Sequence, residues 1–296
     1  MHISSTSITI LEISGSPNQY CVEGYGHMQL PKPYSDIDIV AHAIKTLLSS
    51  SGLLSKQVVL AIPDSCVISK IIQISIYTRK QDIEEWVILE AEKHIPYPMN
   101  EINLDFHIIG PSIDNPALLD VLIVAARTEH VELRIETLRR AGLAVRIIDI
   151  ESYAIERAAC LWTGELSLLN QEKHSVLFDI NESVMYCFVF YGEKIIFSRE
   201  DRLDDWHDFY GLLQQMQRAM QFFYSSFSHA FIGQMILAGS MPTLDSLKQF
   251  LQLHLEIPIN IANPFVEMRF VNNNLRDLIE KDAPKLMVAC GLALRR

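Results

Sequence analysis

The stretch from His174 to Arg199 constrains the chain more than any other. Ser175-Val-Leu-Phe-Asp179 is an apolar run that ends on a carboxylate. Ile180-Asn181-Glu182-Ser183 makes a polar corner, Val184 to Tyr191 is a second apolar run, and Gly192-Glu193 turns it into a third, Lys194-Ile-Ile-Phe-Ser198. β-Branched and aromatic residues fill all three runs, and a two-residue loop carrying Gly joins the last two, so the pattern predicts a buried strand followed by a hairpin. Two readings of the corner follow. A strand-end Asp beside a small polar turn is one way of presenting a carboxylate and backbone N–H groups to a metal-bound phosphate. The plainer one is a meander whose corner is acidic.

At 296 residues the chain has room for two domains or one large two-lobed one. Hydrophobic residues at 49% against charged residues at 21% give it a sizeable core. A formal net charge of −11 argues against nucleic acid, because phosphate neutralisation needs clustered Lys and Arg, so no nucleic-acid partner is expected. Cys21, Cys66, Cys160, Cys187 and Cys290 are odd in number and widely spread, and each reads as a small buried hydrophobe in a reducing compartment. No apolar run approaches the roughly 18 residues of a membrane span, and the start reads as no signal peptide; the expectation is a soluble, cytoplasmic protein.

In order along the chain, Ile3 to Ile13 predicts a strand and Gln19 to Leu30 a second, across the turn Ser14-Gly-Ser-Pro-Asn18. Gly24-Tyr25-Gly26 lies inside the second and opens no helix, so it predicts a bulge or close backbone approach and not a phosphate loop. Beyond the punctuation Pro31-Lys-Pro33, Ser35 to Ser50 has helical spacing, with Ser35 as a candidate N-cap. A compact α+β unit follows, with strands at Gln57–Ile62, Cys66–Ile76, Ile102–Ile109 and Leu118–Ala126. Its helices run from Lys80 to Lys93, stopped by Ile95-Pro-Tyr-Pro98, and from an N-cap Thr128 to Arg140, closed by Gly142. Leu143–Ile150 is a strand and Glu151–Leu161 a helix. In the second half Trp206, Phe209, Leu213, Met216, Met220, Phe223 and Phe227 step by three and four, the stripe of a core helix or, alternatively, of a coiled-coil seam. Gln234–Ala238 is a strand, Pro242–His254 a helix, Ile257–Asn263 a last strand and Lys285–Leu294 a closing helix.

The sequence holds no Gly-x-x-x-x-Gly-Lys-Ser/Thr loop, no Cys-x-x-Cys pair, no His-Glu-x-x-His helix and no Gly-x-Ser-x-Gly elbow. Paired carboxylates such as Glu84-Glu85 and Asp204-Asp205 read as solvated helix faces. Motifs alone point to no enzyme.

One resemblance rests on order along the whole chain. A helix Glu85–Glu92 precedes Ile95-Pro-Tyr-Pro98, and Asn103-Leu-Asp-Phe106 follows it. Val121–Arg127, Ala141-Gly-Leu143 and Ile148-Asp-Ile-Glu-Ser152 come next. Val176–Asp179, Gln217-Arg218 with Phe222-Phe223, Leu237-Ala-Gly239, Ala262-Asn-Pro-Phe265 and Cys290-Gly-Leu-Ala-Leu294 complete it. The series resembles the PilM family, the actin-like cytoplasmic proteins of type IV pilus assembly related to the cell-division protein FtsA. The resemblance implies an α/β, actin/hexokinase-like fold whose two lobes meet over a nucleotide cleft. It puts residues 1–31, 149–165 and 285–296 in the first lobe (1A), 32–148 in an inserted α+β subdomain of SHS2 type (1C), and 166–284 in the second lobe (2A).

The resemblance also implies a site, and departures from it. The family's first phosphate loop, Asp-Ile-Gly-Ser-Ser-Ser with a Lys soon after, corresponds to His2-Ile3-Ser4-Ser5-Thr6-Ser7 with Thr9 in the lysine's place. In the second loop Asp179 is kept, but Asn181 and Glu182 replace a Gly and a small residue, and the purine-side Gly-Gly is Gly239-Ser240. Glu200 to Tyr210 joins hairpin to helix directly where the family places subdomain 2B, so most of 2B is expected to be missing. The vestigial or weak nucleotide site is therefore Ser4, Ser5, Thr6, Asp179, Asn181, Ser183, Arg218, Gly239 and Ser240, with Asp179 as a magnesium ligand only if nucleotide binds. No cofactor is expected, and ATP with Mg²⁺ if the site works. The expected function is a pseudo-ATPase scaffold at the inner face of the cytoplasmic membrane, held there through its partner. That partner is the N-terminal cytoplasmic tail of a PilN-like membrane protein, bound near Ile95, Pro96, Tyr97, Pro98 and Asn103; other pilus or secretion platform proteins are further partners. The alternatives are a slow ATPase or ATP switch of the same machinery, and the equivalent component of a type II secretion or mannose-sensitive pilus system.

Overall fold

The computed structural model describes residues 1–17, 19–30, 36–53, 55–162, 173–203, 205–227 and 230–295. In the first lobe β1 (His2–Ile3), β2 (Ser7–Ser14) and β3 (Cys21–Gln29) form an antiparallel meander. After α1 (Ile37–Ser51), β4 (Gln57–Ile62) lies beside β1, where the Met1 amine donates to Val59 O at 2.8 Å. It pairs in parallel with β8 (Ala144–Ile150). The lateral order is thus β3-β2-β1-β4-β8. Between β4 and β8 come β5 (Val67–Ser75), α2 (Ile83–Ala91), β6 (Ile102–Pro111), β7 (Leu118–Arg127) and α3 (Thr128–Arg140), and α4 (Glu151–Ala159) follows β8.

The second lobe repeats the plan. Antiparallel β9 (His174–Ile180), β10 (Val184–Tyr191) and β11 (Lys194–Arg202) are the strand and hairpin expected there, turning at Gly192, whose φ is +57°. α5 (Phe209–Ser226), β12 (Ile232–Ala238), α6 (Leu244–Gln252) and β13 (Ile259–Ile261) complete the sheet in the order β11-β10-β9-β12-β13, with β9, β12 and β13 parallel. Strand alternation divides its core. Val176, Phe178 and Ile180 pack with the buried stripe of α5 (Leu213, Met216, Met220, Phe223) and with α6. Leu177, Phe188 and Ile236 pack on the other face, against α4 and the closing helix α8 (Met287–Ala293). That second cluster also takes in Leu11 and Val22, so one core joins the two lobes.

Several expectations change. The strand expected over Ile3–Ile13 is two strands, because Ser4, Ser5 and Thr6 make a bend. α1 is capped by Asp36, whose carboxylate accepts from Asp38 N; Ser35, Asp204 and the segment 31–33 lie outside the described residues. The N-cap expected at Thr128 falls on Arg127, with no side-chain cap. The coiled-coil alternative gives way to the core helix, which begins at Phe209 and leaves Trp206 before it. β14 (Arg269–Phe270), parallel to β3, and α7 (Asn273–Asp282) were not anticipated. Gly24 and Gly26 are close approaches, since a Cβ would meet Leu53 Cδ2 at 2.2 Å and Leu47 Cδ1 at 2.9 Å. Cys187 and Cys290 are buried, but Cys160 is exposed and Cys21 and Cys66 are intermediate, because the last three sit at element ends.

The span expected for the insert, 32–148, is wider than the unit that packs by itself. α1, β4, α3 and β8 share one core with β1–β3 through Ile3, Ile8, Ile44, Leu60, Leu138 and Leu143. The separate cluster is that of the sheet β5-β7-β6 with α2 laid on one face, through Ile72, Val87, Ala91, Ile95, Ile123 and Ala125. Among the described residues no helix is long and apolar enough to cross a membrane.

Candidate functional site

Where the lobes meet, the first loop is a bend closed on itself. Ser4 Oγ accepts from Thr6 N at 3.2 Å and Ser7 N at 3.0 Å, and Ser4 N donates to Ser7 O at 2.9 Å. A serine hydroxyl that takes the two following amides makes a local turn. His2 Nε2 lies 3.0 Å from Glu151 Oε1, in the first turn of α4. Thr9, fully inside, hydrogen-bonds His27 Nδ1 at 3.0 Å, and burial lowers the basicity of that imidazole.

The second loop reaches across to the third. β9 ends with Asp179 on the face it shares with Leu177, toward α4. Asn181 Nδ2 donates to Asp179 Oδ1 at 3.0 Å, while Asn181 Oδ1 accepts from Ser240 N at 3.1 Å and Ser240 Oγ at 2.8 Å. Gly239 stands between them at φ +108°, where a Cβ would meet Ile180 O at 2.2 Å and Asp179 Oδ1 at 2.7 Å. Burial pushes the Asp179 carboxyl up to about 6; the Asn181 amide and His2 oppose the rise and Glu151 adds to it. Nearby Asp64 accepts from Ser152 N at 3.0 Å and from the Ser152 hydroxyl, capping α4 from the end of β4. Its carboxyl too is raised, by burial and then by Glu151.

The structure brings together Asp179, Asn181, Gly239 and Ser240 of the expected set; Ser4 and Thr6 lie in the bend after His2, whose charge is felt at Asp179. Ser5 is exposed on the bend. Ser183 is exposed in the corner, where its carbonyl accepts from Leu203 N at 2.9 Å. Arg218 does not join: it lies on the outer side of α5, which packs on the sheet face opposite Asp179. Helical spacing fixed which α5 residues go inside but not which sheet face takes the helix. Asp64, Glu151 and Tyr186 were not anticipated at the cleft. An acidic residue at the strand-to-helix junction Ile150–Glu151 was the available signal.

The residues expected to hold a partner lie on the insert. Ile95 is buried under α2, while Pro96 and Pro98 are exposed. Tyr97, 40% exposed, has the Arg127 guanidinium over its ring at 5.4 Å. Asn103 Nδ2 donates to Thr128 Oγ1 at 3.3 Å, tying the start of β6 to α3. β6 is an edge strand, and beside it opens a cleft of about 260 Å³ lined by Glu84, Val87, Ile88, Met99, Leu104, Asp105 and Phe106.

Comparison with known proteins agrees with this architecture. A family model described as type IV pilus assembly protein PilM matches residues 1–204 and 209–296, broken only within the connection from β11 to α5. A chain of a PilM-PilN type IV pilus biogenesis complex superposes with a TM-score of 0.80 at 23% identity, covering 99% of this chain and 96% of that one. The ethanolamine utilization protein EutJ of Carboxydothermus hydrogenoformans superposes with a TM-score of 0.52 at 10% identity, covering 99% of this chain and 87% of the other.

Proposed function

The chain belongs to the type IV pilus assembly protein PilM family, with the actin/hexokinase-like fold, and from that premise we propose that it is a scaffold that works without nucleotide. Its role is to hold the cytoplasmic N-terminal tail of a PilN-like membrane protein, and so to sit in the cytoplasm against the inner membrane. The observation that carries the nucleotide-free reading is the bridge Asp179–Asn181–Ser240, which closes the second and third loops on each other. The Thr6 and Ser7 amides are likewise spent on Ser4. A phosphate needs free, converging N–H groups. On this reading the residues present do not fit a magnesium-bound triphosphate, and no chemical step is assigned to them. The direct passage from β11 to α5 supports a second lobe with little of subdomain 2B.

Partner binding draws support from the solved PilM-PilN complex, whose fold this chain shares, and from the edge of β6. An extended tail can add to an edge strand and set its side chains in flanking pockets. Here those are the cleft at Met99 and Leu104 and the surface of Pro96, Tyr97 and Pro98. Deleting the first six or so residues of the partner tail should abolish binding; an unchanged affinity would sink the assignment. One observation favours a nucleotide switch instead: Asp179 and the close-packed Gly239 keep the family's residues at their places. A rise in melting temperature with millimolar Mg-ATP would establish that reading, because a ligand selective for the native state must stabilise it.

A further inference from the structure

The insert has a second uncovered edge. In the sheet β5-β7-β6, among the described residues, the strand β5 pairs with β7 alone, in a register that runs unbroken from Val67 to Ser75. Alternate residues of such an edge strand turn N–H and C=O away from the sheet, and soluble proteins guard such rows with proline, bulges or outward charge. β6 has those guards, with a register break at Ile108/Gly110 and a terminal Pro111. β5 has neither proline nor bulge, and its one charged residue, Lys70, is drawn onto α2's end, where Nζ donates to His94 Nδ1 at 3.0 Å.

The edge is also the floor of a cleft of about 640 Å³. Residues 70–73 line it; Glu90 and His94 form one wall, and the Ser112–Asp114 turn with Asp120 forms the other. Gln73 ties the second wall to the floor, donating to Ser112 Oγ at 2.9 Å and Asp120 Oδ1 at 3.0 Å. Ile113 stands on the rim, 96% exposed. We propose that the edge of β5, framed by α2's end and the Ser112–Asp114 turn, receives an extended peptide of alternating apolar and basic residues. Its backbone pairs with residues 70–73; its basic side chains, on the face of Gln73, meet Asp114 and Asp120, and its apolar ones, on the opposite face, meet Ile72 and the end of α2. The walls favour a lone segment over a second copy, whose own β5 carries the same walls and meets them before the strands pair. The carboxylates of the lining, on a chain of net charge −11, favour a basic segment over an acidic one. This site is separate from the tail site at the β6 edge, and neither depends on the other.

The probe is a blocked, fluorescent synthetic peptide alternating Val and Lys over about eight residues, titrated against the full chain by anisotropy. Companion peptides carry Glu for Lys, or Pro at alternate positions. The expected result is saturable binding, weakened about tenfold or more by Glu and lost with Pro, with slowed amide exchange confined to β5. Asp114→Lys, in an exposed turn, should weaken it about tenfold while leaving affinity for the partner tail unchanged. Equal binding of all three peptides, exchange protection outside β5, or displacement of the Val-Lys peptide by the tail would overturn the proposal. So would β5 protection that rises with protein concentration and no peptide, which would make the occupant a second copy.

Discussion

Asn181 holds three groups at once, the Asp179 carboxylate and the N–H and O–H of Ser240, and so ties the second loop to the third. Removing it leaves a half-buried carboxylate without its donor, and a lost hydrogen bond to a charged group costs about 1.5–3 kcal/mol. Asn181→Ala should therefore lower the unfolding free energy by that amount and shift the urea midpoint down accordingly; an unchanged midpoint would show the bridge to be ornamental. Asp179 has the opposite sign. Its carboxyl is raised to about 6 in the folded state, by burial first, against roughly 3.9 in an unfolded chain. Folding is thus penalised by this group at neutral pH, and the penalty disappears as the pH falls from about 6 to about 4, where both states are protonated. Asp179→Asn, which keeps an oxygen for Asn181, should stabilise the protein by about 1 kcal/mol or more at pH 7. The gain should vanish near pH 4 when urea unfolding of the two proteins is compared. A pH-independent difference would mean that the carboxylate is not strained by its site.

At the scale of elements, the lobes are joined by α4 lying on α8. Gly291 makes that contact possible, since a Cβ there would sit 1.7 Å from Ala154 O and 2.8 Å from Ala154 Cα. Ala158 and Ala289 share the same core, and Arg157 Nε donates to Gly291 O at 3.0 Å. Gly291→Val forces the helices apart and should cost more than about 3 kcal/mol, enough to lower the melting temperature sharply or remove soluble protein. A melting temperature equal to that of the parent would contradict this packing. Most elements were legible in the sequence because their periods are clean: the hairpin from Val184 to Ser198 alternates β-formers around Gly192, and the α5 stripe repeats every three or four residues. What was not legible has a physical cause. The amides of Ser4, Thr6 and Ser7 are satisfied locally, so the strand expected across them breaks with no proline or glycine to signal it. The helices α1 and α3 read as part of the insert because sequence neighbours suggest a unit, whereas their apolar faces pack on β1–β3. Of the candidate site, the order of the loops was legible, but the place of Arg218 on the outer side of α5 was not, because a helix's partner face is not written in its spacing.

Over the whole molecule, one continuous core runs between the strands of the two lobes, and a small three-stranded unit with its own apolar cluster is set into the first lobe. Of the exposed large apolar residues, Ile71, Tyr77, Trp86, Leu89, Ile109 and Ile113 all belong to that unit. Surface of this kind marks contact with other chains. At the cleft, by contrast, each loop spends its hydrogen bonds within its own lobe, Ser4 with Thr6 and Ser7, and Asn181 with Asp179 and Ser240. On the proposed reading the surface for partners is separate from the site that would hold nucleotide, and binding should not depend on ATP. The deciding measurement is a calorimetric titration of the PilN-like tail peptide into the protein, with and without millimolar ATP and magnesium. Identical affinities, and no heat from ATP alone, are the predicted result. An affinity for the tail that changes with Mg-ATP would contradict it, because linkage then requires the nucleotide to bind and to be felt at the edge of β6.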